Sequence, residues 1–71
     1  MNILEKITQN KAAFSKSERK VAEVILANPQ TAIHSSIATL AKMSDVSEPT
    51  VNRFCRRLDT KGFPAFKLHL A

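Results

Sequence analysis

Apolar residues recur along this chain at helical spacing and nowhere alternate, and that pattern points to an all-α fold. A strand with one wet face needs an apolar residue at every second position, and no window between turns offers such a run. Ile3, Leu4 and Ile7 begin a first helix. Ser15 followed three residues later by Glu18 is a capping-box pattern: the hydroxyl accepts from the Glu18 amide, and the carboxylate reaches back. Val21, Val24, Ile25 and Ala27 then form a buried face. Asn28-Pro29 ends that helix, because the residue before a proline is pushed out of the α region. Either Ser35 or Ser36 can cap a third helix, in which Ile37, Leu40 and Ala41 share a face. After the short connection Met43 to Val46, Ser47 caps a fourth helix. Pro49 is tolerated in its first turn, where an amide has no partner anyway. Val51, Phe54, Cys55 and Leu58 fall at i, i+3, i+4 and i+7, a continuous apolar stripe. Asp59 to Gly62 stops it, and Phe63-Pro64 restarts a fifth helix carrying Phe66, Leu68 and Leu70. The expectation is an all-α domain of about five short helices.

The length of 71 residues fits one domain, residues 1–71. A domain of this size hides only about 60% of the surface its unfolded chain exposes, so little core can be given up to an enclosed substrate cavity. No Cys–His or paired-carboxylate spacing suggests a nucleophile or an acid/base pair, and no catalytic residue is assigned. Cys55 is alone, which excludes a disulfide within the chain. One Cys and two widely spaced His make a structural zinc site unexpected, and no metal or cofactor is assigned. An unpaired thiol suits a reducing, cytoplasmic setting. The longest apolar stretch, Val24 to Ala27, is far too short to cross a bilayer, so no membrane partner is expected. Glu5, Lys6 and Gln9 interrupt any secretory signal. The chain ends at Ala71 without a stop signal, and Leu70 wants a partner. That suggests either a trimmed piece or the first domain of a longer protein.

The segment Ile37 to Leu58 is the most specific feature. Two helices joined by a tight turn form the geometry that presents the second helix to a DNA major groove. Ala41 is small where the helices cross, Val46 plugs the space in the turn, and Val51 and Phe54 anchor the second helix. Asp45 stands where glycine would be expected in the turn; aspartate reaches the left-handed region at modest cost. Glu48, Pro49, Asn52, Arg53 and Arg56 lie away from the apolar stripe, with Thr50 and Arg57 on its borders. Asn can pair bidentately with adenine and Arg with guanine. Thr50 can give its hydroxyl to a phosphate or its methyl to a thymine, and the amides beyond Ser47 can receive a phosphate. Glu48 would repel phosphates, yet it suits the helix dipole and can accept from a cytosine amino group. Arg53, Arg56, Arg57 and Lys61 lie within nine positions, opposed only by Asp59, in a chain of net charge +5. Together they give a polyanion something to meet.

Each residue also has a plainer reading. Arg53 and Asn52 could read bases or only touch phosphate and solvent. Arg57, nearer the stripe, braces the fold or touches a phosphate. Cys55 is a small buried hydrophobe. Lys16, Arg19 and Lys20 form a second basic cluster, either solvated or touching flanking phosphates, and His34, Ser35 and Ser36 are secondary candidates at the next helix start. His69 has no visible partner. The competing function is a helical protein-interaction module without base reading, but such a face should expose aromatic or aliphatic anchors.

The string Phe14-Ser15-Lys16-Ser17-Glu18-Arg19-Lys20-Val21-Ala22 closely resembles the N-terminal domain of the RpiR family of bacterial transcription regulators. So do Ser35-Ser36-Ile37-Ala38, Val46-Ser47-Glu48-Pro49-Thr50-Val51-Asn52-Arg53-Phe54-Cys55-Arg56 and Gly62-Phe63-Pro64-Ala65-Phe66-Lys67-Leu68. The resemblance covers essentially the whole chain, and within the family it is most similar to the regulators of hexose catabolism. It implies a helical domain with a central helix-turn-helix, followed by a sugar-isomerase-like (SIS) domain outside these residues. That second domain would bind a phosphosugar effector and support a homodimer on a palindromic double-stranded operator. Repression of central carbon genes, those of glucose, hexose and Entner–Doudoroff metabolism, is implied as well. By position, Ser47, Glu48, Pro49, Thr50, Asn52, Arg53 and Arg56 fall on the recognition helix, and Ser15 to Lys20 matches a family motif.

Overall fold

The computed structural model describes residues 2–71. Its helices are α1 (Ile3–Asn10), α2 (Lys16–Ala27), α3 (Pro29–His34), α4 (Ile37–Ser44), α5 (Glu48–Arg57) and α6 (Phe63–Leu70), with one 3-10 turn, Lys11–Ala13, after α1. No strand occurs among the described residues. The Cα radius of gyration is 10.4 Å, close to the roughly 11 Å expected of a single packed domain this long.

Most helices start on a side-chain cap. Asn2 Oδ1 accepts from the Glu5 amide at 2.9 Å. Ser15 and Glu18 complete the capping box, with the Ser15 amide donating to Glu18 Oε1 at 2.9 Å and the Glu18 amide donating to Ser15 Oγ at 3.3 Å. Ser36, not Ser35, caps α4, accepting from the Thr39 amide at 3.1 Å. The segment after Asn28-Pro29 departs from the expected connection. The same dipeptide ends α2 and begins α3, since Asn28 Oδ1 accepts from the Thr31 amide at 3.3 Å and Pro29 sits in the first turn.

Helix α2 packs against α1, α3, α4 and α5, and α6 closes the other side against α1, α3 and α5. Ile7, Val21, Ile25, Leu40, Val51, Phe54, Leu58 and Phe66 are buried between them. Phe54 of α5 stands between Phe14, at 5.1 Å between ring centroids, and Phe66, at 5.9 Å and nearly edge-on. These are favourable aromatic geometries, and they seat α5 on the core. Ala27, expected on the buried face of α2, is exposed, because Asn28 already turns the chain there. Leu70 does find a partner: it leans on the core of this same domain, and Leu68, 80% exposed, is the open side chain.

Candidate nucleic-acid interface

The turn between α4 and α5 is a Schellman closure. Asp45 adopts the left-handed conformation (φ 58°, ψ 47°). Its amide donates to the Lys42 carbonyl at 3.2 Å, and the Val46 amide reaches the Ala41 carbonyl at 3.0 Å. Val46 then packs against the core as the hydrophobic plug. The far end of α5 repeats the device. Asp59 has φ 63°, its amide donates to the Arg56 carbonyl at 3.1 Å, and the Thr60 amide donates to the Cys55 carbonyl at 3.3 Å. Thr60 Oγ1 donates to that same carbonyl at 2.6 Å. An aspartate thus takes the usual glycine place at the end of both helices.

At the start of α5, Ser47 Oγ accepts from the Thr50 amide at 3.4 Å and shares a hydrogen bond with Thr50 Oγ1 at 2.9 Å. Thr50 is buried, so its hydroxyl serves the cap and its face turns to the core. Glu48, Pro49, Asn52, Arg53 and Arg56 line one shallow concavity, and all but half-buried Asn52 are exposed. Arg53 and Arg56 have no ion-pair partner among the described residues.

The two flanks of α5 are tied down. Asn52 and Arg57 are five residues apart, roughly 140° around a helix that turns about 100° per residue. On one flank Arg57 Nε donates to Glu18 Oε2 of α2 at 2.6 Å. On the other, Asn52 Oδ1 accepts from the Phe63 amide of α6 at 3.3 Å. Burial of Glu18 opposes its charge, but the Ser15 amide and hydroxyl and the Arg57 guanidinium outweigh it and hold the carboxyl below its usual range. Asp59 is also lowered, by the Lys6 ammonium 2.6 Å away. Burial pushes the Cys55 thiol up to about 12.

The other candidate cations do not form one cluster. Lys20 faces the turn, 3.7 Å from Asp45. Arg19 instead lines a groove with Thr8, Gln9, Lys11 and Ala12. Lys16 and Lys61 are exposed. His34 and Ser35 border a polar groove with Asn28, Gln30 and Thr31. Ser35 is buried there; its hydroxyl donates to the Thr31 carbonyl at 2.6 Å, and its carbonyl accepts from Lys67 Nζ at 2.9 Å. The ties of Glu18 to Arg57, Phe63 to Asn52 and Lys67 to Ser35 carry no local signal, because each partner lies 11 to 39 residues away in sequence. Lys42, exposed in the last turn of α4, is a further cation beside the turn that its neighbours in sequence do not mark out.

Among the described residues no group of three or more His, Cys, Asp or Glu could hold a metal ion. No described helix is long and apolar enough to cross a membrane.

The family described as "Helix-turn-helix domain, rpiR family" matches residues 1–71. The HTH-type transcriptional regulator HexR of Escherichia coli is 70% identical over 71 residues, which is 100% of this chain and 25% of that protein. HexR of Pseudomonas aeruginosa is 56% identical over 70 residues, 99% of this chain and 25% of that protein. The chain therefore spans about a quarter of the length of these curated relatives. A crystal structure of the N-terminal domain of ybbH from Bacillus subtilis, described as a transcriptional regulator, superposes with a TM-score of 0.91 at 35% identity, covering 96% of this chain and 83% of that one.

Proposed function

The chain belongs to the rpiR family of helix-turn-helix domains, and from that premise we propose that α5 enters the major groove and reads operator sequence. Sequence-specific DNA binding in transcription regulation is the role of such a domain, which is not an enzymatic fold. One observation carries the reading furthest: Arg53 and Arg56 stay exposed and unpaired on a helix whose flanking polar groups are engaged. In this reading Arg53, Arg56, Glu48 and Asn52 meet base edges, and Ser47, Pro49 and Thr50 shape the entering helix end. Lys61, with any share Arg57 can spare from Glu18, meets phosphate. Lys20, beside the turn, and Lys16 extend the phosphate contacts, with Arg19, His34, Ser35 and Ser36 further out. A protein-contact role for the same face is disfavoured, because α5 presents arginine, asparagine and glutamate there, with Pro49 its one apolar residue and no aromatic or large aliphatic anchor.

For the whole regulator we extend the reading. One such module covers a small footprint, so two of them in a homodimer would sit on a palindrome. The relatives are named as HTH-type transcriptional regulators, and the resemblance to regulators of hexose catabolism extends the proposal to repression of central carbon metabolism genes in a bacterial cytoplasm. A phosphosugar would act through a following SIS domain and change the placement of the two heads. Phosphosugar binding to these 71 residues alone, seen by calorimetry, overturns that last step.

The test of DNA reading is selection from randomised duplexes at roughly 0.15 M salt, where nonspecific binding is already weakened. Enrichment of a defined half-site is expected. Arg53→Ala, with an unchanged circular-dichroism spectrum, is expected to lose roughly tenfold or more in affinity for it. Binding without enrichment that fades steeply with salt reduces the interaction to a cation meeting a polyanion.

A further inference from the structure

Asn52 stands on the flank of α5 that meets α6. Its Oδ1 accepts from the amide of Phe63, the first residue of α6. Gly62, just before, has no side chain to cap that helix, and Pro64 has no amide to satisfy. The recognition helix therefore supplies the cap for its neighbour. This contact also fixes which way the Asn52 amide points. A backbone N–H only donates, so the atom facing it is the oxygen. The same oxygen lies 3.6 Å from the place a Cβ on Gly62 would occupy, so it is turned in against the Gly62–Phe63 backbone. A planar amide with its oxygen turned in has its NH2 turned away. Among the described residues that NH2 has no protein acceptor, while Asn52 lines the concavity shared with Glu48, Pro49, Arg53 and Arg56.

Asparagine pairs with adenine by using both ends, accepting from N6 and donating to N7. The Asn52 oxygen accepts from Phe63 and is turned in against the Gly62–Phe63 backbone, so it does not face a base amino group in the concavity. We propose that Asn52 keeps its bond to Phe63 and offers DNA its NH2 alone, so that it selects a base edge made of acceptors. Guanine, with O6 and N7, fits best, and thymine O4 fits second. Adenine would leave its own amino group unanswered, and cytosine presents only a donor. The selection rests on the reading of α5 as the DNA-reading helix. Asn52 is then both a specificity residue and a polar link from α6 to that helix, beside the Phe54–Phe66 packing.

Selection from randomised duplexes with the wild-type chain, Asn52→Asp and Asn52→Ala tests the proposal. Asn52→Asp keeps an oxygen for Phe63 and loses the NH2. One half-site position in the wild-type result is expected to favour guanine or thymine over adenine by roughly fivefold, the size of one neutral hydrogen bond. In Asn52→Asp that position alone moves to cytosine, whose amino group can donate to the carboxylate. In Asn52→Ala it becomes indifferent. Hydrogen exchange of the Phe63 amide reads the other half of the role: protected in wild type and Asn52→Asp, faster in Asn52→Ala. Adenine at the position that Asn52→Asp alters, or no altered position, overturns the assignment to Asn52 and leaves the DNA reading standing. Equal exchange at Phe63 in all three chains overturns the cap. No enrichment of any sequence by the wild-type chain overturns the DNA reading and this proposal with it.

Discussion

Glu18 is 1% exposed, yet it stays charged because three groups converge on it: the Ser15 amide, the Ser15 hydroxyl and the Arg57 guanidinium. Removing one partner of a buried carboxylate costs more than the pair itself contributes, since the survivor is left short of hydrogen bonds. The Arg57 side chain is half exposed, so water can replace part of what it gives. Arg57→Ala is therefore expected to lower stability by about 1–3 kcal/mol, read from the urea midpoint, with Arg57→Lys recovering part. A loss no larger than that of an ordinary surface substitution overturns the bracing role. Cys55 makes the opposite case. Its thiol is fully buried and pushed up to about 12, so it is neutral at any pH at which the protein works. A thiol-reactive disulfide reagent at about pH 8 is expected to label Cys55 only as fast as the chain opens, and at once in strong urea. Rapid labelling of the native chain contradicts the packing of α5 on the core.

At the scale of the elements, both helices of the turn motif end on an aspartate in the left-handed region. A side chain there carries a steric cost that glycine avoids, partly offset because glycine loses more entropy on folding. The Lys20–Asp45 pair, exposed and 3.7 Å apart, holds little in return. Asp45→Gly is expected to raise stability by about 0.5–1 kcal/mol, seen as a higher urea midpoint at unchanged slope. A lower midpoint shows that the Asp45 carboxylate contributes more than its geometry suggests. What could be read in advance at this scale was local. The Ser15/Glu18 box, the Ser47 cap, the Val51–Phe54–Cys55–Leu58 stripe and the left-handed Asp45 each show themselves within a few positions of sequence. Helix α3 was hidden because Pro29 works in both directions, stopping one helix and starting the next, and six residues are too few to show a period. The ties Arg57–Glu18 and Asn52–Phe63 were hidden for a different reason: which long side chain meets which flank is set by how the helices cross, and no spacing within either segment encodes it.

At the scale of the whole molecule, acid sensitivity shows whether those ties act on global stability. Glu18 and Asp59 both have folded-state carboxyls below their usual 4.5 and 3.8. The unfolded chain therefore binds protons more readily than the folded one, and stability rises with pH through that range. Their contribution is complete above about pH 5 and is lost as the pH falls through the lowered folded values. Protonation also adds to a net charge that starts at +5, so self-repulsion in acid weakens any variant of this chain. A comparison separates the two effects. Gln at position 18 can still accept from the Ser15 amide, as capping boxes allow, but it does not titrate. Glu18→Gln is expected to be less stable than the wild-type chain near pH 7, where the Arg57 pair is intact in the wild type alone. The two urea midpoints should converge as the pH falls from about 4.5 through the lowered folded value, where the wild-type carboxyl takes up its proton as well. Charge repulsion from every other group is shared by both chains and drops out of the difference, which keeps only the single charge at position 18. Parallel curves from about pH 7 to pH 3 mean that the Glu18 charge does nothing for the fold, and the flank of α5 that faces α2 is then held by packing and uncharged hydrogen bonds.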